Sequence, residues 1–123
     1  MTIADTDVLI DYLSGKGEAA AVERYLRLGT LYTTVISRFE LLSGAKDPKR
    51  RGRLEILLRA VPSLELDAES ADTASEIGRA LQESGNTIGM ADSLIAGIVI
   101  NNRGSLLTRN RRHFEGVSGL RLA

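Results

Sequence analysis

Three acidic residues stand where they could do chemistry together: Asp5, Glu40 and Asp92. The chain has no cysteine and one histidine, His113, which excludes a site built from thiolates or from several imidazoles. Carboxylates are hard oxygen donors, so an ion held here would be Mg²⁺ or Mn²⁺ rather than zinc. Asp5 directly follows a short apolar run, and Asp92 opens the most apolar segment of the chain, Ser93–Ile100. At about 100° per residue, Asp92 lies at the flank of the helical stripe formed by Leu94, Ile95 and Ile98. A carboxylate so near a core edge is costly unless a positive charge pairs with it, and a cation shared by Asp5 and Asp92 would supply one. Each acid also has a structural alternative: Asp5 as a helix cap, Glu40 as a surface acid beside Arg38, Asp92 as a helix N-terminal residue. Asp7 reads as a cap and Asp11 as a solvated acid.

The elements that must position these side chains alternate between short apolar runs and amphipathic helices. Thr2–Ala4 reads as a strand running into Asp5. A helix carrying Val8, Leu9, Ile10 and Leu13 follows and is ended by Gly15 and Gly17. Ala19–Leu28 is a second helix, stopped at Gly29, and Leu31–Thr34 a second strand. Thr34 or Ser37 caps the next helix, on which Val35, Phe39 and Leu42 recur at helical spacing. Pro48 sits in the first turn of a helix striped by Leu54, Leu57, Leu58 and Val61, and Pro62 stops it. Ser63–Leu66 reads as a strand. Asp67 or Ser70 starts a long helix reaching about Glu83. Ala91, Leu94, Ile95, Ile98 and Val99 mark a buried helix ending near Asn101, with Leu106-Leu107 and Leu120–Leu122 as the closing strands. The alternation implies a single α/β domain over residues 1–123, with a mainly parallel sheet covered by helices on both faces. Ligands of such sheets bind beyond the carboxyl ends of the strands, where Asp5, Glu40 and Asp92 fall.

Composition narrows the class further. Hydrophobic residues make up 43% of the chain and charged ones 26%, enough for a core and against disorder. A bilayer span needs roughly 20 apolar residues, and no run here approaches that, so no membrane association is expected. The N-terminus lacks the basic start and apolar core of a signal peptide, giving a cytoplasmic expectation. Sixteen basic and sixteen acidic residues cancel, yet they are segregated: residues 46–53 and the arginines between Arg103 and Arg121 form basic stretches.

Four segments, in order, resemble one family. Ile3-Ala4-Asp5-Thr6-Asp7-Val8-Leu9-Ile10-Asp11 is similar to the opening of PIN-domain ribonucleases, in particular the VapC-type toxins of toxin–antitoxin pairs. Thr34–Ala45, with Glu40, resembles the second motif of that family, and Ile88–Gly97, with Asp92, the third. Leu106–Phe114 followed by Gly119-Leu120 resembles its closing segment. The resemblance spans essentially the whole chain. It implies a PIN-like α/β fold, Mg²⁺ or Mn²⁺ held by Asp5, Glu40 and Asp92 as catalytic acids, and hydrolysis of RNA phosphodiesters. It further implies a VapB-type antitoxin as partner and a homodimer. Two positions depart from the pattern: Asn110 stands where many members carry aspartate, and Asp7 where asparagine is usual. The first puts a complete second metal site in question, with Glu115 a remote substitute; the second adds a carboxylate beside Asp5.

A bare acidic pocket would repel RNA, and a cation held by Asp5 and Asp92 would invert the field there and acidify bound water. Glu40 would then be a further ligand or a base toward the attacking water. Thr108 would bind the metal's water or a phosphate oxygen, while Arg109, Arg111, Arg112 and the Lys49–Arg53 run are candidate RNA backbone contacts. His113 reads as a packing or capping residue. Two α/β alternatives fail on inventory. Haloacid-dehalogenase-type phosphatases and receiver domains both need a late lysine, and Lys49 is the last one; a receiver also needs a mid-chain acceptor aspartate, absent from residues 50–60. The competing expectation within the fold is a PIN-like domain that binds RNA or a partner and cuts weakly or not at all, because Asn110 is neutral.

Overall fold

The computed structural model describes residues 1–123. The sheet is built from β1 (Thr2–Ala4), β2 (Leu31–Thr34), β3 (Ser63–Leu64), β4 (Ser105–Leu107) and β5 (Arg121–Leu122). Its order is β3-β2-β1-β4-β5, and every pair is parallel. The chain therefore winds outward from β1 through β2 to β3, then returns to lay β4 and β5 on the other side. The reversal lies between β1 and β4, and the crevice past their carboxyl ends is where an open parallel sheet binds its ligand.

Alternation along the two central strands sorts the core. Ile3 and Leu106 point to one face and Ala4 and Leu107 to the other, as a period of two requires. The Ala4 face is covered by α1 (Thr6–Ser14), α2 (Ala19–Leu28), α3 (Val35–Gly44) and α4 (Pro48–Ala60), through Val8, Leu9, Val22, Leu41, Leu54, Leu57 and Leu58. The Ile3 face is covered by α5 (Ala68–Glu83), α6 (Met90–Asn101) and the single turn α7 (Arg111–Phe114), through Ile77, Leu81, Ile95, Val99 and Phe114. Burial on both faces explains why Ile3-Ala4 in β1 and Leu106-Leu107 in β4 are consecutive apolar residues rather than alternating with polar ones.

Local chemistry sets the boundaries. Gly15 and Gly29 end α1 and α2 in the left-handed conformation, at φ 67° and 70°. Thr34 caps α3, its hydroxyl accepting the Ser37 N–H at 3.1 Å, and Asp67 caps α5, accepting that of Ser70 at 2.8 Å. Three expectations need correction. The apolar stripe of α3 does not include Phe39, which is 70% exposed; Ser37 and Leu41 are the buried positions, because they face the sheet. Asp11 is not solvated: it is buried with Val8 on the inner side of α1. The strand expected over Ser63–Leu66 is only two residues long, ending before the exposed Glu65 and Leu66. No helix is long and apolar enough to cross a membrane.

Candidate active site

Asp5 leaves β1 at the topological reversal and becomes the N-cap of α1. Its Oδ1 accepts the Thr6 N–H at 2.8 Å, so the capping alternative and a place in the site are met by one side chain. Its Oδ2 accepts the hydroxyl of Thr108, the residue that leaves β4 next door, at 2.8 Å. Parallel pairing of β1 with β4, Ala4 opposite Leu107, brings these two strand ends side by side. Thr108 itself accepts the Asn110 N–H at 3.0 Å.

Asp5 is only 7% exposed. Burial pushes its carboxyl up to about 6; the Thr108 hydrogen bond opposes this, while the neighbouring charges of Asp7 and Asp92 add to it. Asp7 stands in the first turn of α1 rather than at its cap, and it accepts the Arg109 N–H at 3.3 Å. Asp92, in the first turn of α6, also has its carboxyl raised. Burial is the main cause, His113 opposes it, and the charges of Glu40 and Asp7 reinforce it. Asp5, Asp7, Glu40 and Asp92, dispersed in sequence, thus share one electrostatic neighbourhood. They are not drawn tight: no three acidic or imidazole side chains are close enough together to hold one ion as they stand.

Two of the acids are tethered by partners that sequence patterning missed. Glu40 is anchored by the Thr6 hydroxyl, which donates to its Oε1 at 2.7 Å and lies 3.0 Å from the Ser37 hydroxyl. His113 is more than a packing residue: its Nε2 lies 3.0 Å from Asp92 Oδ2, while its ring meets Phe114 edge-on. Placing an acid and an imidazole on α6 and α7 gives no local signal of contact. Thr6 was the more findable of the two, being the residue after the strand-end aspartate.

The arginines have separate fates. Arg109 places its Nε 3.2 Å from the buried Asp11 carboxylate. Arg111 donates from Nη1 to the Ala123 carbonyl at 2.6 Å. Arg112 stays exposed and lines a polar cleft of about 510 Å³ with Asn86, Thr87, Asn110 and His113. Asn110 occupies the cap position of α7 without a side-chain capping bond. On the other side of Glu40, a small apolar groove of about 130 Å³ runs between α1, α3 and α4. Its lining includes the apolar Ile10, Leu13 and Leu41 and the basic Arg50 and Arg53.

Comparison with known proteins places this arrangement. The family model described as PIN domain matches residues 2–120. The chain is 31% identical over 113 residues to ribonuclease VapC1 of Methanocaldococcus jannaschii, covering 92% of this chain and 78% of that protein. It is 30% identical over 122 residues to the tRNA(fMet)-specific endonuclease VapC of Shigella flexneri, covering 95% and 92%. Among solved structures, the DNA-bound VapBC of Salmonella typhimurium superposes with a TM-score of 0.86 at 26% identity, over 99% of this chain and 96% of that one. With the sheet order, the acids at the β1–β4 reversal and these matches in agreement, the chain belongs to the PIN-domain family and is of the VapC type.

Proposed function

We propose that this protein is a Mg²⁺- or Mn²⁺-dependent endoribonuclease, the toxin of a VapBC-type pair. The observation that carries the proposal is the buried Asp5, its carboxyl raised by burial and by the charges of Asp7 and Asp92. A buried carboxylate with further acids beside it at a strand-end crevice favours a divalent cation, and the relatives named above are called ribonuclease and endonuclease. The donors fit that class of ion, because all are carboxylate oxygens and Mg²⁺ keeps several waters while taking only one or two protein carboxylates. Asp5 and Asp92 would hold it, with Glu40 nearby. When bound, the ion neutralises the pocket toward a polyanion and acidifies water.

The chain's own residues supply the rest. Glu40, exposed and tethered by Thr6, is placed to accept a proton from the attacking water. Thr108 orients Asp5. Arg112, Asn110 and Asn86 line the polar cleft beside Asp92 and His113, where the strand on one side of the cut phosphate can lie. A second reading, an RNA- or partner-binding domain without cleavage, draws support from the pairing of Asp92 with His113 and the neutral Asn110. RNA digestion separates the two. Cleavage is expected with Mg²⁺ or Mn²⁺ and is expected to vanish in excess EDTA or in Asp92→Asn; a folded wild type that binds RNA but leaves it intact would favour the second.

A VapB-type antitoxin is the partner this function requires, and the groove between α1, α3 and α4 suits it. A peptide with an apolar side chain for Ile10, Leu13 and Leu41 and an acid for Arg50 or Arg53 would lie beside Glu40 and block the crevice. A homodimer belongs to the same proposal. Phe39 and Met90, 70% and 80% exposed, sit on the helices that carry Glu40 and Asp92 and offer apolar surface for it. Sedimentation equilibrium is expected to give twice the chain mass, and a monomer at high concentration would remove this part of the proposal.

A further inference from the structure

The buried carboxylate of Asp11 plays no part in the chemistry above. It is 1% exposed, on the inner side of α1. Its Oδ2 accepts the Glu18 N–H at 3.0 Å and meets Arg109 Nε at 3.2 Å, while its Oδ1 is sealed from solvent without a partner. The α1–α2 turn closes tightly over it: Gly17 has φ +54°, and a β-carbon there would fall 2.2 Å from Oδ2. A half-satisfied buried charge is a poor device for stability, since desolvation offsets most of what pairing returns. What it does provide is a fixed point.

That fixed point holds the loop leaving β4. Arg109 reaches from this loop to Asp11 on α1. The Arg109 N–H meets Asp7, one helical turn before Asp11, and the adjoining Thr108 hydroxyl meets Asp5. Three carboxylates along α1, at its cap and in its first and second turns, therefore grip two consecutive residues. The geometry points to Asp11 as a positioning residue that, through Arg109, keeps the Thr108 hydroxyl on Asp5, so that Arg109 serves the site from behind rather than contacting RNA phosphate. This inference rests on the endoribonuclease proposal for its catalytic consequence, but not for the latch itself.

Two measurements test it on the intact chain. In the free wild type, NMR should find the Arg109 guanidinium resonances displaced from those of a free arginine by the Asp11 carboxylate 3.2 Å away, with the displacement lost in Asp11→Asn. In RNA cleavage, Asp11→Asn and Arg109→Met should each lower kcat about tenfold or more, as a loosened site does, with KM unchanged. The double variant should be no worse than either single one. The salt dependence of RNA binding should be the same in Arg109→Met as in wild type, whereas loss of a phosphate contact would flatten it by about one unit of slope. A raised KM with a flattened salt slope in Arg109→Met would overturn the inference, as would a lowered melting temperature with kcat unaltered. Arg109 guanidinium resonances at free-arginine positions in an active wild type overturn the latch alone; an inactive wild type with those resonances displaced overturns the ribonuclease proposal and the catalytic consequence with it.

Discussion

Replacing Asp5 by asparagine is expected to abolish RNA cleavage and, without divalent ions, to make the folded protein more stable at neutral pH. The two effects have one cause. Folding removes the Asp5 carboxylate from water and sets it near Asp7 and Asp92, which raises its pKa from 3.8 to about 6. Between those values the folded state holds a proton that the unfolded state has released. Stability therefore falls as pH rises through this window, and above about pH 6 the full penalty, about 3 kcal/mol, is present. Asparagine carries no charge and escapes it. After allowance for weaker hydrogen bonds to Thr6 and Thr108, a gain of about 1–3 kcal/mol should remain at pH 7 in EDTA, several degrees in melting temperature. The gain should disappear below about pH 4, where aspartic acid is protonated in both states.

Added Mg²⁺ or Mn²⁺ should reverse the order. An ion that binds the folded wild type raises its melting temperature by mass action, while Asp5→Asn, short of one anionic ligand, responds far less. Cleavage should fall by a factor on the order of 10³ or more, since several kcal/mol of charge stabilisation are removed. Thermal melts at pH 4 and pH 7, each with EDTA and with Mg²⁺, read the stability effects from two proteins, and RNA digestion with Mg²⁺ reads the cleavage. An Asp5→Asn variant less stable than wild type at pH 7 in EDTA would contradict the cause assigned to the raised carboxyl; one that cuts RNA normally would remove Asp5 from the chemistry.

Much of the frame could be read from local sequence because local chemistry writes it. The helix Ala19–Leu28 and the strand Leu31–Thr34 have the expected bounds, since Gly29 can adopt the left-handed conformation that stops one before the other begins. Asp5 and Asp92 were legible for the same reason, each marking the boundary of an apolar run. What was hidden is the identity of partners. Nothing in an i, i+4 pattern says that Asp11 will meet Arg109 from the far end of the chain, or that His113 will meet Asp92; strand order decides both, by placing β4 beside β1. Phe39 misled because helical spacing fixes a stripe only up to its rotation, and two overlapping stripes run through α3. The single turn of α7 is too short to show a period.

The helix that carries Asp92 is seated by its glycine, and Gly97→Ala is expected to be the most damaging one-atom addition in the core. Residues Ile95–Val99 are all buried, so α6 has no solvent side along its middle. A β-carbon at position 97 would sit 2.5 Å from the Ser70 carbonyl oxygen and 3.0 Å from the backbone nitrogen and β-carbon of Ala74. These are largely backbone atoms of α5, which cannot swing aside like a side-chain tip. The two helices must part along the line where Thr73 and Ser70 also bond to Asn101. Overpacking of this kind costs about 2–3 kcal/mol, roughly 10 °C in melting temperature for a chain of this size. Gly78→Ala on the facing helix is the contrast. Its β-carbon would meet only the Ser93 hydroxyl, at an ordinary 3.7 Å, and alanine favours a helix interior over glycine by up to about 1 kcal/mol. Gly78→Ala should therefore match or exceed wild type in stability while Gly97→Ala melts early. Because parting α5 from α6 also moves the first turn of α6, Gly97→Ala should lose cleavage below its own melting temperature, as Asp92 leaves the neighbourhood of Asp5 and Glu40. Equal melting temperatures for the two variants would show that α6 is not seated on α5 in this way.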